Sequence, residues 1–225
     1  MSRSILKQSS KIGAFALISR CIAFMREILL FRFLSVGETS DIFFTAFRIP
    51  NTLRKIFAEG ALASVLVPAL INAQHNDSKE GLNRLTTLSF IIIESIVLIM
   101  CLVVFWQAPW FIAKIAPGFS VEKIAHSADL LKILISFILF FSSSAVFASA
   151  LQAQHKFFIP AIAPSISNIF YVASILACLQ FHLSIATFCY LMIVSAMLFF
   201  FNPYCCIHIR RLLFPICKQN NPETI

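Results

Sequence analysis

Residues 85–107, LTTLSFIIIESIVLIMCLVVFWQ, run for 23 positions with a single charged side chain, Glu94. About 20 apolar residues carry a helix across the hydrocarbon core of a bilayer. A run this long is therefore read as a membrane span. Comparable runs recur at about 12–34, 41–72, 129–153, 160–180 and 184–208, which gives six candidate spans. In lipid every backbone N–H and C=O must be satisfied within the protein, so only helices or closed barrels cross. These runs lack the period-two alternation of barrel strands. The expected fold class is all-α, a polytopic membrane helical bundle.

Composition agrees. The chain is 59% hydrophobic and 12% charged, against about a quarter charged in an ordinary soluble domain. A net charge of +8 raises nucleic acid as a partner. The basic residues, however, sit inside or beside apolar runs and not on a soluble face. Membrane lipid and anionic lipid headgroups are the expected partners, and nucleic acid is not. The cysteines at 21, 101, 178, 189, 205, 206 and 217 form no metal-ligand pattern; in spans they act as small apolar residues. There are no paired carboxylates, no Ser–His arrangement and no phosphate-binding glycine loop, so no enzyme and no cofactor is expected. The N-terminal MSRSILKQSSK precedes an apolar run that arginines interrupt and no cleavage site follows, so it reads as a retained first helix.

Lys and Arg set the orientation. Arg3, Lys7, Lys11, Lys79, Arg84, Lys156, Arg210, Arg211 and Lys218 fall on one side, and only Lys114 and Lys123 on the other. Both termini are expected in the cytoplasm, with a multi-pass chain in a bacterial cytoplasmic (inner) membrane. Residues 1–209 would form the six-helix lobe and 210–225 a short cytoplasmic tail. The long third connection, QAPWFIAKIAPGFSVEKIAHSAD, is expected to hold a short interfacial helix, with Trp106 and Trp110 in an aromatic belt. The connection HNDSKEGLNR is expected to be a loop. Pro50 and Pro68 interrupt the long second run, and Pro160 and Pro164 open the fifth.

Charge inside the first two spans is the exception to this pattern. They carry Arg20, Arg26, Glu27, Arg32, Asp41, Arg48, Arg54, Lys55 and Glu59, six basic residues against three acids. In the first span, twelve large aliphatic or Phe residues favour insertion by about 6 kcal/mol, while Arg20, Arg26 and Glu27 together cost about 8–10 kcal/mol. That helix requires protein partners or a watery cavity. On an ideal second helix Asp41, Arg48, Asn51, Lys55 and Glu59 lie within about 80° of one another. Arg54 lies to one side of this stripe, toward a second neighbour, and the arginines of the first span face it. Two readings stand. The charges pair across the first two helices and fix packing, or they line a polar cavity whose surplus positive charge takes an anion. Arginine presents paired donors to phosphate oxygens, which makes a diphosphate the natural ligand. Elsewhere, Glu94 is expected to be paired or to carry a proton, Lys132 to reach toward the membrane surface, and Asn168 to hydrogen-bond across helices.

The motif S-R-x-x-x-F-x-R-E at 19–27 is followed by DIFFTAFRIPNTLRKIFAEGALASVLVP at 41–68, APGF at 116–119 and LQAQHKFFIPAIAPSISNI at 151–169. Together these resemble the N-terminal part of the MurJ (MviN) lipid II flippases, over residues about 5 to 210. The resemblance implies the multidrug/oligosaccharidyl-lipid/polysaccharide exporter superfamily, with two six-helix lobes and two further helices. It also implies transport of an undecaprenyl-diphosphate-linked peptidoglycan precursor to the periplasmic leaflet through a cationic cavity. Matched residue by residue, it implies substrate-binding roles for Ser19, Arg20, Arg26, Asp41 and Arg54, with Asn51 and Glu59 inside the same motif; Arg48, on the charged stripe of the second helix, is expected to join them.

The chain departs from the family pattern at Ala23, where glycine is common, at Glu27, where aspartate is common, and in a first connection whose one glycine is Gly37. It ends where the second lobe is expected, and alternating access requires two bodies moving about a central site. Three forms follow: a truncated or split flippase, a half-transporter that joins a second-lobe polypeptide or a copy of itself, or a remnant. A non-transporting scaffold or interaction subunit is the alternative function.

Overall fold

The structure is a computed structural model, which describes residues 2–35, 37–58, 61–156 and 158–200. Among these residues there are helices, turns and bends and no strand. The order is α1 (Ser2–Leu34), α2 (Glu38–Ala58), α3 (Ala61–Trp106), α4 (Ala108–Ile115), α5 (Val121–Ile135), α6 (Phe137–Ala153), α7 (Phe158–Gln180) and α8 (Ile185–Phe200). The chain is all-α, as expected from its apolar runs.

The ends of these helices follow local chemistry. Ser35 turns the chain out of α1 at a φ of 58°, and its N–H bonds the Phe31 carbonyl at 3.1 Å. Glu38 and Asp41 occupy the first turn of α2, where carboxylates complement the positive helix end. Ser120 caps α5, its hydroxyl accepting from the Lys123 N–H at 3.4 Å. The third connection does hold a short helix, α4.

Three boundaries differ from expectation. The run 41–72 is carried by two elements, α2 and the first turns of α3. Residues 73–84 are not a loop, because α3 is 46 residues long and passes straight through them. Polarity there determines where the helix leaves an apolar environment, not whether it ends. No proline follows Pro68 within α3, and Gln74, Lys79, Glu80 and Arg84 are good helix formers. The run 129–153 begins earlier, at Val121, because Ser120 and Glu122 supply a helix start that hydropathy does not register. Ser136, in αR geometry, joins α5 to α6.

Two stretches, Glu80–Trp106 and Val121–Ala153, are long and apolar enough to cross a membrane, with mean hydropathies of 2.9 and 2.2. Leu62–His75, Ser165–Gln180 and Ile185–Leu198 are shorter apolar helices. Ile91, Ile92, Ile96, Ile99, Leu102 and Val103 stand exposed along α3, a surface suited to lipid.

Two packing seams organise the bundle. One sets α3 along α6, the other α1 along α7. Ser142, Ser143, Ser149, Ala150 and Ala153 are buried on α6, and side chains this small let helix backbones approach closely. Helix α2 lies against α5 and α6. The main core gathers Phe43, Val97, Ile112, Leu131, Leu134, Ile138, Ile175 and Phe188.

Candidate functional site

The charged residues of the first two helices do not face one another as a single stripe. Helix α1 packs chiefly along α7 and touches α2 much less. Arg26 consequently finds its partners on α7. Its Nη1 donates to Asn168 Oδ1 at 3.0 Å, and its guanidinium carbon lies 4.9 Å from the centre of the Tyr171 ring. Nη2 pairs with the carboxylate of the adjacent Glu27. The Arg26 side chain is 24% exposed, and its buried Nε has no hydrogen-bond partner. One of the two readings paired the charges of α1 with those of α2; Arg26 instead meets α7 and the Glu27 of its own helix. Asn168 makes the cross-helix hydrogen bond expected of it.

Arg54 lies to one side of the α2 stripe and meets a second neighbour, as its helical angle leads one to expect. Its Nε and Nη2 donate to Asn51 Oδ1 at 3.3 and 3.2 Å, an i,i+3 contact between adjacent positions on the helix surface. Its guanidinium lies 6.0 Å from the centre of the Phe141 ring of α6. The two guanidinium groups thus each lie over an aromatic ring, Arg26 over Tyr171 of α7 and Arg54 over Phe141 of α6.

The other expected site residues lie along α1 and α2. Ser19 is half-buried on α1 and Arg20 is exposed, six residues or about 9 Å of helix rise before Arg26. Asp41 and Arg48 are exposed on α2, and Asn51 is half-buried. Arg48 borders a cavity of about 230 Å³ with Ile49, Thr52, Leu53 and Ile115, on a part of α2 that meets α4. Glu59 lies outside the described residues, and so does the tail from 210.

Two further polar contacts lie elsewhere. Ser142 donates to Glu94 at 2.9 Å between α6 and α3, so Glu94 is paired. Lys132 bonds Asp129 at 2.9 Å within α5 and does not simply extend to the membrane surface.

Sequence reasoning did not single out Tyr171, Phe141 or the Ser142–Glu94 contact. Tyr171 lies three positions after Asn168 and so shares its helix face. That spacing was the available signal. Phe141 and Ser142 gave none, because nothing in a Phe- and Ser-rich apolar run marks one of them as the partner of an α2 or α3 charge.

Arg26 of α1, paired with Glu27, rests against Asn168 and Tyr171 of α7, and Arg54 of α2 lies against Asn51 and Phe141. This defines an all-helical membrane protein with arginines held among its helices. The family model described as Lipid II flippase MurJ matches residues 30–215; the chain belongs to that family. The probable lipid II flippase MurJ of Buchnera aphidicola subsp. Schizaphis graminum (strain Sg) is 36% identical over 170 residues, covering 74% of this chain and 33% of that protein. The probable lipid II flippase MurJ of Rhizobium meliloti (strain 1021) is 31% identical over 173 residues, covering 76% and 32%. A solved structure of a lipid II flippase MurJ in an inward closed conformation is similar with a TM-score of 0.71 and 25% identity, over 91% of this chain and 46% of that one. The chain spans about a third of the length of the curated relatives it matches.

Proposed function

We propose that this chain forms the N-terminal lobe of a lipid II flippase and that its arginines take the diphosphate of a lipid-linked peptidoglycan precursor. The observation that carries this reading is the Arg26 guanidinium held on the Tyr171 ring and Asn168 of α7 within apolar helices. Intramembrane charges of this kind are costly and mark transport pathways. The Arg26 Nε has no hydrogen-bond partner, and guanidinium N–H groups suit phosphate oxygens. Arg20, one face of α1 away from Arg26, extends the positive surface toward the helix start. Ser19, Asn51, Asp41, Arg48 and Glu59 complete the proposed substrate-binding set, the polar residues orienting headgroup and guanidinium groups.

In this reading the chain is multi-pass, with six spans and both termini in the cytoplasm, in the bacterial inner membrane. Residues 1–209 are the lobe and 210–225 a cytoplasmic tail. A second lobe, supplied by another polypeptide or by a copy of this chain, provides the opposite wall, because rocking about a central site needs two bodies.

The test is complementation. Cells depleted of their own flippase receive this chain together with a second-lobe polypeptide. Restored growth with the wild-type chain, and its loss with Arg26→Ala or Arg54→Ala, supports the reading. Failure of the wild-type chain to restore growth opposes it. Growth that survives both substitutions favours a scaffold subunit.

A further inference from the structure

Arg26 is held by a hydrogen bond, an ion pair and an aromatic face at once. Asn168 accepts at 3.0 Å, Glu27 pairs with Nη2, and the Tyr171 ring lies 4.9 Å from the guanidinium carbon. The tyrosine is itself fixed. Phe188 of α8 meets its ring edge-on at 5.6 Å. Phe188 is fully buried and touches Phe33 of α1 at 5.3 Å and Phe43 of α2 at 5.8 Å. The face that Arg26 rests on is thus part of the main core, braced from three helices.

We infer that Tyr171, assisted by Asn168, is the positioning residue that holds the Arg26 guanidinium at the anion site. The inference rests on the diphosphate reading above and adds to it a neutral residue on α7. An arginine within an apolar span extends toward water when nothing holds it. Glu27 already offsets part of the Arg26 charge, and a carboxylate on α7 would turn the local balance negative. An aromatic face and an amide oxygen attract the guanidinium without adding negative charge. The ring face supplies the hold, so the hydroxyl of Tyr171 is dispensable.

The experiment measures equilibrium binding of undecaprenyl diphosphate to the full chain in phosphatidylcholine nanodiscs, with thermal unfolding recorded for each variant. Tyr171→Phe keeps the face and is expected to bind within about twofold of wild type. Tyr171→Leu and Asn168→Ala are expected to weaken binding about five- to tenfold. Combining Tyr171→Leu with Arg26→Ala should weaken it no further than Arg26→Ala alone, since the two act as one unit. A merely structural role for Tyr171 would give additive losses. Should Tyr171→Leu fail to fold, Tyr171→Met and Asn168→Ala carry the same expectation.

Wild-type affinity in Tyr171→Leu beside weakened binding in Arg26→Ala overturns the inference and leaves the diphosphate reading standing. Additivity, or equal loss in Tyr171→Phe and Tyr171→Leu, also overturns it. Unchanged binding in Arg26→Ala defeats the diphosphate reading itself, and the positioning role with it.

Discussion

Arg26 on α1 and Asn168 on α7 meet in a 3.0 Å hydrogen bond across 142 positions of sequence. This contact ties the most charged helix of the chain to one of its most apolar. It also shows how the bundle keeps a guanidinium among hydrocarbon: the charge is held by a neutral amide and an aromatic face, with one carboxylate beside it.

Asn168→Leu removes the acceptor and leaves a half-buried guanidinium N–H without its partner. The expected cost is about 1–2 kcal/mol, below that of a fully buried case because Arg26 keeps some exposure. Asn168→Asp restores an acceptor and should unfold close to wild type, yet it adds a negative charge and should weaken diphosphate binding. Thermal unfolding and ligand binding, measured on the same samples, separate the two effects. Parallel changes in both quantities for Asn168→Asp would contradict this account.

The close seam between α3 and α6 gives a steric prediction. Ser149 is 1% exposed, and its hydroxyl bonds the Ala145 carbonyl of its own helix at 2.8 Å. Ser149→Ala should cost well under about 1 kcal/mol, whereas Ser149→Leu overpacks the seam and should cost about 1–3 kcal/mol. Equal stability of the two variants, by unfolding in detergent, would mean that the helices do not approach as closely as the structure places them.

The Lys123–Glu38 pair joins the starts of α5 and α2 at 3.3 Å, with Glu38 63% exposed. Exposed pairs contribute less than about 1 kcal/mol and are screened by salt. Glu38→Gln should therefore shift stability only slightly, and the shift should vanish in molar salt. A large, salt-independent loss would assign this contact a structural weight that its exposure does not support.

The apolar runs were legible in the sequence because a span long enough for lipid has few other uses. The all-α class, the start of α7 and the short helix between α3 and α5 followed from them. The unbroken α3 was not legible. Residues 73–84 are polar enough to read as a loop, but a helix satisfies its own backbone wherever it emerges, and no proline stops it. The site was legible in its charges and not in its partners. Arg26 and Arg54 stood out by cost, and Asn168 by its amide. That Arg26 would rest on Tyr171 depended on α1 packing against α7 and not α2, and that Arg54 would lie beside Phe141 depended on α2 packing against α6. Helical angles within one helix carry no information about which helix lies opposite.

The continuity of α3 has a direct check. His75 and Arg84 are both exposed, nine positions apart. Spin labels replacing them should show a narrow distance distribution near 14 Å of helix rise, set by 1.5 Å per residue. A broad distribution would restore the loop.

The central claim is that the guanidinium groups of Arg20, Arg26 and Arg54 together bind a lipid-linked diphosphate. It is tested most directly by titrating the full chain in nanodiscs with fluorescent undecaprenyl diphosphate, wild type against the variant with all three arginines changed to glutamine. The account predicts saturable, salt-sensitive binding to the wild type, and a loss of at least about tenfold in the variant at unchanged fold. Equal affinity in the two proteins would contradict it.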